Sequence, residues 1–273
     1  MRTASIERRV PVGAWVSPGS NGKRGDVFAT LAQRGVVLLG ESHDDAEHHR
    51  WQLHTIAALF GHRPDLVLGF EMFPRRVQPV LDRWCKGELN ETAFLREVDW
   101  PQIWGIAGEL YLPLFHFARM HRLPMLALNV DRATNRRVAA QASTPNTERE
   151  GVGDPAPASS SYRERLFGWF KQHPAAGAEV RAGSEAFERF VRAQLFWDRA
   201  MAEAIAGARQ GGRPLVVGIM GRGHVEYGDG VPHQLAALGV NDVATALPWR
   251  ADTDYPAAPP PIADLLFGVA PSP

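Results

Sequence analysis

Apolar positions along this chain fall into short unbroken runs. Between them lie longer stretches in which apolar residues recur at helical spacing. Val36, Val37, Leu38 and Leu39 form one such run, the pattern of a strand covered on both faces in a parallel sheet. The stretch 44–59 that follows carries Trp51, Leu53, Ile56 and Ala57 at mostly helical spacing. A strand, a turn and a helix are therefore predicted, and the unit repeats. DLVLGF at 65–70, PMLALN at 124–129, PLVVGIM at 214–220 and the run 243–247 read as further strands. Helices are predicted over 27–34, 76–84, 92–98, 106–121, 162–172, 184–208 and 230–238, with Pro113 as a kink or restart inside the fourth. Strands alternating with helical segments predict an α/β fold, a largely parallel central sheet flanked by helices.

Punctuation residues divide the chain further. Residues 1–25 are rich in Gly, Pro, Ser and Arg and read as an extended N-terminal arm. A single α/β domain is expected over 26–250. It is interrupted at 142–161 by ASTPNTEREGVGDPAPASSS, a polar stretch expected to be a flexible insertion. Residues 251–273 are expected to form a loose C-terminal tail.

Charge narrows the partners. Lys+Arg and Asp+Glu both number 30, so no global basic excess draws in nucleic acid, and none is expected as a partner. The single cysteine, Cys85, excludes an intrachain disulfide and reads as a packed thiol. No run of about eighteen apolar residues occurs, so no membrane span is expected. The first residues lack the apolar block of a secretory signal, and a cytoplasmic location is the expectation.

The chemistry gathers where the apolar runs stop. After VVLL come Gly40, Glu41, Ser42 and His43; after LVLGF comes Glu71; after PLVVGIM come Gly221, Arg222, Gly223 and His224. Parallel α/β sheets bind ligands outside the carboxyl ends of their strands, so one crevice is expected to collect Glu41, His43, Glu71 and His224. Glycines before the polar residues permit a sharp turn and close approach of a ligand. Two imidazoles and two carboxylates suit a divalent metal such as zinc, manganese, iron or cobalt, which would activate water or polarise a carbonyl. Alternatively, one glutamate stays off the metal as a general base. Taken singly, each of these residues is more often a cap or turn residue than a functional group. Asp44 and Asp45 are expected to cap the following helix, and His48 and His49 to support the site or face solvent. The spacing in GIMGRGH is not that of a dinucleotide loop.

These segments together carry a resemblance. VLLGESH with a following HxxxQ, then GFEMF, YLPLFHFAR, ALN and GIMGRGHVEYGDGVP, resemble the ChaN-like haem-binding uptake family, of one superfamily with the Tiki metalloproteases and the erythromycin esterases. The match spans about 36–247. It implies the same α/β fold and two functions. One is haem binding in haem or iron handling, with haem held by a tyrosine at the interface of a homodimer. The other is hydrolysis by the Glu/His constellation, so that the ligand is haem or a small-molecule substrate. Tyr111, in ELYLP, matches the family's tyrosine element, and Tyr227, in HVEYGDG, is the second candidate. Phenolate suits ferric haem. Trp100, Trp104, Phe115 and Phe117 are candidates for an apolar porphyrin wall, and His116, Arg119 and His121 for propionate contacts. Members of the family typically carry a lipobox cysteine, which is missing here, so a surface haem receptor is not the expectation.

Overall fold

The computed structural model describes residues 8–18, 26–141, 144–172, 181–209, 211–257 and 259–271. Expectations for 1–7, 19–25, 142–143 and 272–273 lie outside the described residues. Seven strands form one sheet: β1 (Trp15–Val16), β2 (Val36–Glu41), β3 (Leu66–Pro74), β4 (Met125–Asn129), β5 (Leu215–Gly221), β6 (Val243–Arg250) and β7 (Leu265–Val269). Their order is β1-β7-β6-β2-β5-β3-β4. Every pairing is parallel except β1 with β7. β2 and β5 sit at the centre, and every residue of both is buried, which is why their sequences show no alternation.

Helices cover both faces: α1 (Val27–Ala32), α2 (Ala46–His62), α3 (Gln78–Cys85), α4 (Glu91–Glu97), α5 (Trp100–Ile103), α6 (Leu112–Met120), α7 (Arg132–Ala140), α8 (Ser160–Phe170), α9 (Glu185–Ala208) and α10 (Val231–Ala237). One apolar layer joins Leu39, Phe70, Phe73, Trp84, Phe94, Trp100, Tyr111 and Phe115. A second joins Leu38, Met201, Ile205, Val216 and Leu247 on the opposite side of the sheet. Among the described residues no helix is long and apolar enough to cross a membrane.

Three expectations need correction. The described part of the C-terminal tail is not loose throughout: β7 pairs with β6 from Ala246↔Leu265 to Arg250↔Val269 and with β1 on its other side. The apolar run LLFGV is short, contains Gly268 and follows PPP, so local pattern gives it little weight, whereas β6 needs an outer neighbour to satisfy its backbone. Part of the N-terminal arm is likewise held, since Val10 is buried and Tyr255 N–H donates to the Arg8 carbonyl. The described part of the polar stretch, 144–161, is clamped rather than flexible. Val152 is buried, Gly153 N–H donates to Glu203, and the Gln234 side chain bonds both the N–H and the carbonyl of Ala156. α7 was not predicted, because the buried face of RATNRRVAA is made by Thr134, Asn135 and Ala139, which give no apolar period.

A Cβ on Gly268 would lie 1.9 Å from the Pro11 carbonyl oxygen, whereas one on Gly61, in α2, would meet nothing within 4 Å. Gly268→Ala is expected to lower unfolding free energy by about 2 kcal/mol. Gly61→Ala is expected to be neutral or to stabilise by up to about 1 kcal/mol. Paired urea titrations check this; equal stability of the two variants would remove the docking of the N-terminal segment onto β7.

Candidate functional site

The site is set by strand register. In the parallel pairing of β2 with β5, Glu41 lies opposite Gly221, and in that of β3 with β5, Phe70 lies opposite Ile219. Glu71 follows Phe70 inside β3, which continues to Pro74, whereas Glu41 and Gly221 end β2 and β5 side by side. The residues just beyond them turn over the sheet end. Glycine is needed at two of these positions for closeness. A Cβ on Gly40 would come within 2.4 Å of Leu247 and 3.0 Å of the Arg222 Cα. A Cβ on Gly221 would come within 2.9 and 3.0 Å of the His43 ring and 3.6 Å of Glu71. No side chain larger than hydrogen fits between those groups.

The four predicted residues do come together, as two linked pairs. Glu41, 1% exposed, is bonded by His43 Nδ1 at 2.9 Å and by the Tyr111 hydroxyl at 2.6 Å, and His49 Nδ1 faces its other oxygen at 3.4 Å. Glu71 accepts from Gly221 N–H at 2.6 Å and faces His224 Nε2 at 3.4 Å. His43, Glu71 and His224 line a cavity of about 1050 Å³, while Glu41 stands behind His43. Trp104 closes on His43 edge to face, with ring centroids 4.7 Å apart.

The charges are strongly coupled. Burial alone would raise the Glu71 carboxyl, but the charge and hydrogen bond of His224, the charge of His43 and the Gly221 N–H hold it down at about 2. Burial alone would lower His224, yet the charges of Glu71 and Asp198 and hydrogen bonds to both raise it to about 10. His43 is raised as well: the Glu41 hydrogen bond and the charges of Glu71 and Glu41 outweigh burial and the opposing His224. An imidazolium between carboxylates is the expected state of a buried histidine bonded on both sides by acids.

Asp198 is the residue that pattern reading missed. It is 0% exposed on α9, accepts from His224 Nδ1 at 2.6 Å, and takes the Tyr162 hydroxyl at 2.8 Å. A lone acid inside the buried stripe Phe196, Ala200, Met201 and Ile205 was the available signal, since an unpaired buried carboxylate is costly. Asn129 also contributes, its amide donating to the Glu71 carbonyl at 3.2 Å.

The predicted supporting roles sort cleanly. Asp45 caps α2 and pairs with Arg250. His48 and His49 are both buried. His48 Nδ1 accepts from Ser42 N–H at 2.9 Å, and His49 Nε2 donates to the His43 carbonyl at 2.9 Å. Burial holds His48 down at about 4, so it stays neutral. The two rings fix the turn that aims His43.

One binding expectation fails on geometry, and a second falls outside this cavity. Tyr111 is 0% exposed, its hydroxyl held by Glu41 and by Trp104 Nε1 at 3.1 Å. Burial first, and then Glu41, push its phenol far above the ordinary range. It offers no face to a haem. Tyr227 is half-buried, with φ at 60° and Arg165 4.4 Å over its ring, and it is outside the cavity lining. Of the expected aromatic wall, only Trp104 lines this cavity. Trp100 and Phe115 are core, His116 pairs with Glu91 at 2.7 Å, Arg119 bonds the Leu89 carbonyl at 2.6 Å, and His121 packs on Phe60 and Phe117. The divalent-metal set Glu41, His43, Glu71 and His224 does not fit either. Among the described residues no three His, Cys, Asp or Glu side chains are grouped to hold an ion. Glu41 is spent on Tyr111 and His43, and His224 Nδ1 on Asp198.

Comparison with known proteins gives a consistent picture. The family model for haem-binding uptake proteins of the Tiki superfamily, ChaN, matches residues 27–235. The fold is similar to that of ChaN of Campylobacter jejuni, solved with cofacially bound haem, at a TM-score of 0.68 and 17% identity over 88% of this chain and 89% of that one. It is also similar to a mutant of the erythromycin esterase EreC in its open conformation, at 0.53 and 13% identity over 92% and 82%. The type III effector HopBA1 likewise aligns at 0.53 and 13% over 96% and 99%. At these identities the likeness is one of fold. No curated protein matches by sequence.

The ion group sets a pH signature. Glu71, lowered from 4.5, stabilises the fold fully above that pH and loses its effect as pH falls toward 2. His224, raised from 6.5, stabilises fully below 6.5 and loses its effect as pH rises through about 10. The joint contribution is therefore complete between about pH 4.5 and 6.5. Urea titrations of the native chain and His224→Gln across pH 5–10 are expected to differ most at pH 6 and to converge toward pH 10. A difference independent of pH would contradict the paired imidazolium.

Proposed function

This chain belongs to the ChaN haem-binding uptake family of the Tiki superfamily, and we propose that it binds haem and serves in haem or iron handling. The cavity at the strand ends carries the reading. At about 1050 Å³ it is roomy enough for a porphyrin. It has an apolar wall from Ile103, Trp104, Ile106 and Trp197, and two imidazoles at its floor. A flat apolar ring with an iron that accepts imidazole or phenolate suits such a lining. When bound, haem would supply an iron centre for ligation or electron exchange. Among the side chains at the floor, His43 is the donor to favour. Its side chain is 34% exposed, and its Nδ1 is bonded to buried Glu41, which leaves Nε2 for a metal and raises its basicity. Tyr227 would serve a haem lying outside the cavity, between two chains of a homodimer.

A second reading is hydrolysis of a small-molecule substrate by acid–base chemistry. The Glu71–His224–Asp198 array favours it, because a cavity-lining imidazole held between carboxylates can hold or pass a proton at Nε2. His43 beside it would orient the substrate or water.

Hemin titration followed by visible absorbance separates these cases. Native chain is expected to saturate at one equivalent, His43→Ala to lose at least tenfold in affinity, and Tyr227→Phe to change little. A loss confined to Tyr227→Phe would move the haem out of the cavity, and unsaturable binding by native chain would remove the haem reading. For hydrolysis, a panel of p-nitrophenyl esters is assayed. His224→Ala is expected to lose at least a hundredfold in turnover, and an unchanged rate eliminates the acid–base role.

A further inference from the structure

The charged groups around the strand-end cavity do not cancel. Arg76 is paired with Asp131 at 2.7 Å, Arg189 with Glu185 at 3.1 Å, Glu71 with His224, and His43 with Glu41. Arg132 and Arg136 remain. Both are exposed, both line the cavity, and among the described residues neither has a carboxylate partner. Among the described residues the Arg136 guanidinium bonds only the Arg132 carbonyl, at 3.3 Å.

Their placement is unfavourable without a ligand. They stand at positions i and i+4 of α7, where side chains are neighbours and like charges repel. Arg132 is the first residue of that helix, where the helix dipole favours an anion over a cation. The cavity they line also has an apolar wall formed by Ile103, Trp104 and Ile106. A cavity lined by both unpaired arginine and an apolar wall is complementary to a molecule with an apolar body and acid groups, because guanidinium binds carboxylate or phosphate oxygens in pairs.

We infer that the strand-end cavity takes an anionic amphipathic ligand, whose acid groups are held by Arg132 and Arg136 while its apolar body lies against Trp104. The inference rests on the reading of this cavity as the binding site, and it adds the chemistry that admits the ligand. Haem propionates are one source of such acid groups, and a small aromatic acid is another.

Hemin and hemin dimethyl ester, which lacks the free acids, are titrated into native chain and into the Arg132→Gln/Arg136→Gln double variant. Both arginines are exposed, and circular dichroism checks the fold of the variant. Native chain is expected to bind hemin at least tenfold more tightly than its ester, and the double variant to bind both at the level of the ester. Equal binding of acid and ester by native chain overturns the inference while leaving haem binding intact. So does a double variant that keeps the native preference. If native chain binds no hemin, the haem reading falls alone, and 2-naphthoate and its methyl ester, followed by tryptophan fluorescence, decide the inference. Binding of the acid that is lost in the double variant upholds it; no binding of the acid, or binding indifferent to the two arginines, overturns it.

Discussion

The hydrogen bond from Gly221 N–H, at the end of β5, to the Glu71 carboxylate on the neighbouring β3, 2.6 Å long, is the contact on which the site depends. It is possible only because β3 and β5 run parallel in one register and because residue 221 has no side chain. It places a negative charge in a buried position, and buried charge must be compensated. His224 compensates it from one side and His43 from another, and Asp198 then holds His224 from behind. Remove the register, and the carboxylate loses both its donor and its cations.

From that constraint the two halves of the site acquire different characters. The half built on Glu41 is closed: Tyr111, His43 and His49 surround the carboxylate, and no face of it reaches the cavity. It orients His43. The half built on Glu71 opens to the cavity with His224 and is backed by α9 and by Tyr162 of α8. A polar segment crossing the surface at 144–161 leads into α8, and its clamping on Glu203 and Gln234 carries through to the position of Tyr162. The chemistry at the cavity floor is thus tied to segments far away in sequence.

Much of this was legible in the sequence. Unbroken apolar runs marked five of the seven strands, because buried parallel strands leave no room for polar alternation. The residue types beyond three of those runs identified Glu41, His43, Glu71 and His224, because strand ends of a parallel sheet converge. Other features were hidden for physical reasons. β7 is specified by the needs of its neighbour β6 more than by its own five residues. Asp198 is separated from His224 by 26 positions, and its pairing depends on how α9 lies against β5. α7 buries polar residues, so it carries no hydrophobic period, and the arginines it presents were not identified. The burial of Tyr111 could not be read from its motif, since a tyrosine that ligates iron and one that braces a carboxylate look alike in sequence.

The state of His224 is the most direct test of the account. Nitrogen-15 NMR of the imidazole ring reports whether both nitrogens carry protons. The buried array of Glu71, His224 and Asp198 requires a doubly protonated ring at pH 8, with the change to neutral imidazole only near pH 10. A neutral His224 ring at pH 7 would contradict it, and the charge compensation on which the whole site is built would have to be abandoned.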